Sequence, residues 1–200
     1  ILFLDASDEA IVRRQESVRR PLPLQGSGRL LDGIRKERTM LAGLRASADL
    51  VIDTSSINEH ELAARVAKAY ASASETDLQV TLMSFGFKNG IPIDADLVFD
   101  ARFLPNPHWV PALRPQTGLA QPVSAYVLGQ PDAEPFLQHA LGLIDLMRPG
   151  YVREGKRHAT VAIGCTGGKH RSTALVEELS RRLAAEGVHT EVVHRDLGME

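Results

Sequence analysis

The chain has 200 residues, with 23 Lys+Arg against 25 Asp+Glu, and 44% hydrophobic, 24% charged and 5% aromatic residues. That make-up suits a globular protein of one large or two small domains. A net charge of -2 excludes a bulk-basic nucleic-acid binder, and no apolar run reaches the roughly 18–20 residues that a membrane-spanning helix needs.

The opening Ile1-Leu2-Phe3-Leu4-Asp5-Ala6 has neither an initiator Met nor the basic and long apolar regions of a signal peptide. It reads as a buried strand, Leu2 to Asp5, in the C-terminal part of a longer protein. A helix is expected from about Asp8, taken as its N-cap, to about Arg19. Pro21 and Pro23 then break the pattern, and Gly26-Ser27-Gly28 marks a loop. From Arg29 to about Arg45 the residues Leu30, Ile34, Leu41 and Leu44 recur at helical spacing, a short strand follows at Leu50-Val51-Ile52, and Asn58 caps a helix reaching about Tyr70. The small, polar stretch from Ala71 to Asp77 suits a linker, dividing the chain into residues 1–75 and 76–200.

The second part opens with a strand near Leu78 to Ser84. The Gly-, Pro- and Asp-rich stretch from Gly86 to Pro122 has few periodic signals, and connections of that length are functional or contain short hidden elements. A helix from about Pro135 to Met147, a strand at Thr160 to Ile163, a helix from about Arg171 to Glu186 and a strand near His189 to Val193 complete an α/β pattern.

The sharpest chemistry lies in Cys165-Thr166-Gly167-Gly168-Lys169-His170-Arg171-Ser172, which runs from a β-branched strand through a glycine-rich loop into a helix. Such a loop lets backbone N–H groups converge at an electropositive helix start, and Lys169, His170 and Arg171 add side chains there, so a phosphate or other oxyanion is the expected guest. The bland alternative is a tight strand-to-helix turn. The same residues fit Cys-x-x-Gly-x-x-Arg-Ser, the loop of cysteine-dependent phosphatases, in which a thiolate attacks phosphorus and the Arg binds oxygens. Against that rival, Gly164 stands where those enzymes have His, and Asp94, Asp96 and Asp100 are all available as the general acid without one being singled out.

The upstream Ser84-Phe85-Gly86-Phe87-Lys88-Asn89-Gly90 turn, with Asp94, Asp96, Asp100, Arg102, Asn106, His108 and Arg114, supplies candidates for another wall of the same pocket. Taken singly, these residues have structural roles open to them: Asp94 and Asn106 in turns, Arg102 paired with an Asp, His108 against the Trp109 indole. No metal site is expected, because His108, His170 and Cys165 have no compact ligand spacing. The single cysteine, Cys165, cannot form an internal disulfide, which favours a reducing, cytoplasmic setting.

This loop, together with the stretch from Ser84 to Asp96, Phe99-Asp-Ala-Arg-Phe-Leu-Pro-Asn-Pro-His-Trp109 and Arg114-Pro-Gln-Thr-Gly118, resembles the RapZ family of bacterial RNase adapter and nucleotide-binding proteins, and the similarity runs nearly end to end. The resemblance implies the C-terminal part of a P-loop kinase-like domain, followed by a second α/β domain similar to a phosphofructokinase subdomain. The P-loop module binds ATP or GTP with Mg in the full-length protein, and family members are weak ATPases or GTPases. Arg13, Arg14, Arg19 and Arg20 sit where kinase-like folds place phosphate-contacting or lid arginines, a solvated helix face being the alternative. These 200 residues contain no Gly-x-x-x-x-Gly-Lys-Ser/Thr loop, so NTP hydrolysis is not expected of them alone, and no catalytic residue is assigned.

For the second domain the resemblance implies sensing of an amino-sugar phosphate through Asp100, His108, Cys165, Thr166, Gly167, His170 and Arg171, the same place as the oxyanion loop with Gly168. It also implies small RNA and a ribonuclease or signalling protein as partners, and a homo-oligomer. The basic tail on which RNA binding draws in enterobacterial members is replaced by Arg195-Asp-Leu-Gly-Met-Glu200, one cation against two carboxylates.

Overall fold

The computed structural model describes residues 1–18, 22–70 and 78–199. The expected linker and the candidates Arg19 and Arg20 lie outside the described residues. The chain divides into two compact units, Ile1–Ala73 and Ser74–Glu200, and the architecture is α/β with parallel sheets in both.

In the first unit β1 (Leu2–Asp5) pairs in parallel with β2 (Leu50–Asp53), and α1 (Asp8–Glu16), α2 (Leu30–Ala46) and α3 (Glu59–Tyr70) accompany them. Asp8 is not the cap of α1. Ser7, in extended conformation at φ -62° and ψ 155°, accepts from the Ala10 amide, which a side chain already inside the first helical turn cannot do. Asp8 instead pairs with Arg38. Asn58 and Glu61 bond each other's backbone amides reciprocally, the capping box that starts α3. The buried Asp5 carboxylate at the end of β1 is held by Arg38 and Arg45 of α2 at 2.8 Å each.

The second unit carries four parallel strands in the order β4-β5-β3-β6. They are β3 (Gln79–Gly86), β4 (Leu97–Asp100), β5 (His158–Cys165) and β6 (Thr190–His194). All eight residues of β5 are buried, as expected of a central parallel strand with apolar cover on both sides. Three helices, α4 (Gln121–Leu128), α5 (Ala133–Arg153) and α6 (Arg171–Ala185), form the main core with it. Val80 and Leu82 of β3 and Val161 and Ile163 of β5 pack with Leu137 and Ile144 of α5 and Leu175, Leu179 and Leu183 of α6. A smaller cluster of Met83, Phe85 and Ala162 takes its cover from Phe87, Ala95 and Val193. Among the described residues no helix is long and apolar enough to cross a membrane.

Two elements lie where the sequence shows no clear period. The stretch from Gly86 to Pro122 contains the four-residue edge strand β4, in which Leu97 and Phe99 pack inward and Val98 is exposed. Pro122 does not end a loop but starts α4 within its first turn, where the missing N–H costs no hydrogen bond. Helix α5 also runs past Met147 and through Pro149 to Arg153.

Arg182 of α6 bridges its own Glu178 and Glu134 of α5, at 2.7 and 2.6 Å. Hydrogen bonds from Arg181, and then Arg182, hold the Glu178 carboxyl at about 2, against the burial that opposes its ionisation. A depressed carboxylate stabilises the fold above its unfolded value and loses that contribution as pH falls through the folded one. The stability advantage of the parent over Glu178→Gln is therefore expected to be full near neutral pH and to close between pH 4.5 and about 2, as read from urea unfolding.

Candidate functional site

Register brings the carboxyl ends of three parallel strands to one edge, with Gly86 opposite Cys165 and Asp100 opposite Gly164. That edge of an open parallel sheet is where α/β proteins bind ligands. Glycines let the chain segments close on one another here. A Cβ on Gly86 would lie 2.5 Å from the Gly167 carbonyl carbon, and one on Gly164 would lie 2.4 Å from the Phe85 ring. Gly164, in the position a phosphatase gives to His, is thus imposed by the Phe85–Phe87 aromatic pair behind it. Gly168 is left-handed at φ +81°.

The loop between β5 and α6 is pinned from all sides. Thr173 Oγ1 donates to the Gly168 carbonyl at 2.8 Å, and the Lys88 amide donates to the Thr166 carbonyl at 3.2 Å. The Gly118 amide donates to the Lys169 carbonyl at 2.8 Å, and Gly86 N–H donates to the buried Asp196 carboxylate at 2.6 Å. Beside the loop is a cleft of about 360 Å³ lined by Lys88, Asn106, His108, Trp109, Cys165, Thr166, Gly167, Lys169, His170 and Arg171. This lining contains three cations and no carboxylate.

Arg171, 4% exposed, begins α6 and lines the cleft. Its Nη1 donates to the carbonyls of Arg102 and Leu104 at 3.0 and 2.9 Å, and Nη2 donates to Thr166 Oγ1 at 3.1 Å. Its buried Nε has no partner, and among the described residues no carboxylate forms a salt bridge with it. Nη1 is therefore anchored on carbonyls, Nη2 keeps a single side-chain partner in Thr166, and the Nε/Nη2 edge is the one with the geometry of a bidentate oxyanion fork.

Cys165 Sγ receives the Gly168 amide at 3.3 Å and lies 3.2 Å from the Ser172 hydroxyl. Burial disfavours the thiolate, but the Ser172 hydroxyl and amide, the Gly168 amide and the Arg171 charge outweigh it and hold the thiol below its ordinary range. Burial pushes the His170 imidazole down, while the Arg114 carbonyl, 3.2 Å from its Nε2, opposes that shift. Arg114 Nε also donates to the His108 carbonyl at 2.9 Å, so one residue fixes both histidine positions. The His108 ring stands edge-on to Trp109, 5.4 Å between centroids, and its backbone amide is capped by Asn106.

Of the expected site residues, His108, Cys165, Thr166, Gly167, His170 and Arg171 line the cleft. Gly168 turns the loop and spends its amide on the sulfur, and Asp100 is half-exposed outside the lining, held by Arg102 at 2.7 Å. The Arg102 hydrogen bond, with the Arg171 charge adding to it, depresses the Asp100 carboxyl. Asp96 caps the far end of the sheet, bonding the Thr160 amide and Lys156.

Sequence reasoning missed Asp196, which lies outside the cleft lining and holds the Gly86 amide at this edge. Its signal was position, since a polar residue just past the carboxyl end of a parallel strand faces this edge. It also missed the chain from Glu177 through His194 to the buried Ser84, at 2.9 and 2.8 Å, which ties α6 to β6 and β3.

In the first unit Arg13 and Arg14 occupy the last turn of α1 and are exposed. Arg14 donates to the Thr54 hydroxyl at 2.9 Å and to the Thr54 carbonyl. A cleft of about 590 Å³ opens beside Arg14, Arg38 and Arg45, lined also by Phe3, Leu4, Ile34 and Leu41. It is larger than the cleft at Arg171, but Arg38 and Arg45 there are already paired with Asp5 and Asp8, so the smaller cleft is the better anion site.

Comparison with known proteins agrees along the whole chain. The RapZ-like N-terminal domain matches residues 1–74 and the RapZ C-terminal domain residues 78–198. A nucleotide-binding protein of Streptomyces coelicolor is 63% identical over all 200 residues, which cover 67% of its length. Proteins given the same name in Cutibacterium acnes and Thermobifida fusca are 62% and 56% identical over all 200 residues, covering 69% and 68% of those chains. The chain thus spans about two thirds of the length of these relatives. With both domain families matched in order and identity of this level over every residue, the protein belongs to the RapZ family.

Proposed function

We propose that residues 76–200 form a regulatory domain that binds a phosphorylated small molecule, an amino-sugar phosphate being the leading candidate, in a cytoplasmic nucleotide-binding protein. The observation that carries this reading is Arg171. A guanidinium 4% exposed, without a carboxylate in salt-bridge range and with its Nε unbonded, is a buried cation whose charge an oxyanion would balance. Thr166, Gly167 and the start of α6 supply further donors, His108 and His170 flank them, and Asp100 is close enough to Arg171 to feel its charge.

Residues 1–75 are proposed as the C-terminal part of a P-loop domain for ATP or GTP with Mg. The relatives' name supports this, with Arg13, Arg14, Arg19 and Arg20 as phosphate-side candidates. The resemblance extends the proposal to small RNA, a ribonuclease and self-association.

The cysteine-phosphatase reading is favoured by the donors on Cys165 Sγ and opposed by a cleft lining without the carboxylic acid that such enzymes use to protonate a leaving group. Thermal unfolding with inorganic phosphate, an amino-sugar phosphate, ATP and GTP separates these readings. The amino-sugar phosphate is expected to stabilise the chain by about 2.7 kcal/mol at a hundredfold excess over Kd, without being consumed. The absence of a shift with any phosphate-bearing ligand would sink the sensor reading, and turnover of an aryl phosphate that Cys165→Ser abolishes would establish the phosphatase.

A further inference from the structure

Cys165 has surroundings that a structural cysteine does not need. Cys165, 3% exposed, lines the cleft of about 360 Å³ together with Arg171, and its sulfur has the Gly168 amide at 3.3 Å and the Ser172 hydroxyl at 3.2 Å. Structural cysteines sit in apolar surroundings that keep them protonated and inert. Here the sulfur accepts from the Gly168 amide and has the Ser172 hydroxyl in hydrogen-bond range. The independent sign that something small and electron-rich belongs beside it is Arg171, 4% exposed, whose buried Nε has no partner.

We propose that Cys165 is a peroxide-reactive thiol whose oxidation to the sulfenate closes the anion cleft. The Cys165 thiolate attacks one oxygen of a hydroperoxide such as hydrogen peroxide. The S–O bond forms as the O–O bond breaks, and hydroxide departs. Sulfur is oxidised by two electrons and the peroxide is reduced. The surroundings also suit the product, since Arg171 and Thr166 line the same cleft as Cys165 and carry the donors that a sulfenate oxygen formed there would need. The protein's own sulfenate then takes the place of the external oxyanion.

Cys165 is the only cysteine in the 200 residues, so an internal disulfide cannot form. Return to the thiol requires an external thiol, which condenses with the sulfenic acid, releasing water, and a second one, which resolves the mixed disulfide. The oxidation site stands on the sulfur's own geometry, whereas closure of the cleft rests on the anion-binding reading above.

The test uses the whole chain, hydrogen peroxide and inorganic phosphate, with peptide mass mapping of Cys165. Folded protein at neutral pH is expected to oxidise at Cys165 at least about tenfold faster than the same chain unfolded in urea, as thiolate enrichment requires. Ser172→Ala, checked for folding by circular dichroism, should lose most of that advantage. Phosphate at ten times its Kd should slow the reaction about tenfold by occupying the cleft. The oxidised chain should no longer be stabilised by phosphate.

Oxidation no faster in the folded chain than in urea overturns the proposal. Equal stabilisation of reduced and oxidised chains by phosphate overturns closure of the cleft. Rapid oxidation with no phosphate effect on rate or on stability of the reduced chain supports the oxidation site and instead removes the anion-binding reading.

Discussion

Arg171→Ala is expected to abolish stabilisation by phosphate-bearing ligands and to lower the stability of the second unit by about 2–4 kcal/mol. The two effects have different origins. Truncation leaves the Arg102 and Leu104 carbonyls without their donor, and each buried unpaired acceptor costs about 1–3 kcal/mol. Relief of a buried cation without a carboxylate partner offsets part of that cost. The loss of ligand response follows from the Nε/Nη2 edge alone.

Arg171→Lys separates the two effects, because an ammonium keeps the charge but cannot hold two carbonyls and present a planar fork at once. Calorimetric titration of the lysine variant is expected to show affinity at least about tenfold weaker, in line with the roughly 1.5–3 kcal/mol of a charge-assisted hydrogen bond. A full ligand shift in folded Arg171→Ala would remove the cleft as the binding site.

Gly86→Ala is expected to destabilise the second unit by about 1–3 kcal/mol or more and to weaken binding as well, although alanine is a common strand residue. The added methyl group would lie 2.5 Å from the Gly167 carbonyl carbon, 2.8 Å from its oxygen and 2.9 Å from its Cα. Those are backbone atoms of the binding loop, so no rotamer change relieves the clash. Either the end of β3 or the loop must move, and with it the Asp196 bond to the Gly86 amide.

Gly142→Ala in α5 is the matched control. Nothing lies within 4 Å of its added Cβ, and a helical glycine replaced by alanine should gain about 0.5–1 kcal/mol. Urea midpoints moving in opposite directions for these two substitutions would show that contact at the loop, not glycine content, decides the outcome. A Gly86→Ala chain as stable as the parent would contradict the close approach of β3 to the loop.

The α/β class, the strands leading to Gly86 and Cys165, the glycine loop and the helix after it were all legible in the amino-acid order. Each of these is written in local order: a β-branched run, two adjacent glycines, then Leu175, Leu179 and Leu183 at helical spacing. The same order also marked the loop as an oxyanion candidate, because converging amides and cations at a helix start are a short-range pattern.

Which groups are already occupied depends on the folded chain. Local spacing cannot show that Arg171 Nη1 is anchored on carbonyls some seventy residues upstream, nor that Asp100 is held by Arg102 outside the cleft. Nor does it show that Gly164 is imposed by the Phe85 ring, or that Asp196 reaches the Gly86 amide. β4 and α4 were hidden for a related reason. Four residues are too few to show a period, and Pro122 marks a helix start only once a core exists for Val123 and Val127 to enter. Parallel register couples residues distant in sequence, and burial sets which of their polar atoms remain unpaired, so the unpaired Nε of Arg171 emerges only when the sheet has formed.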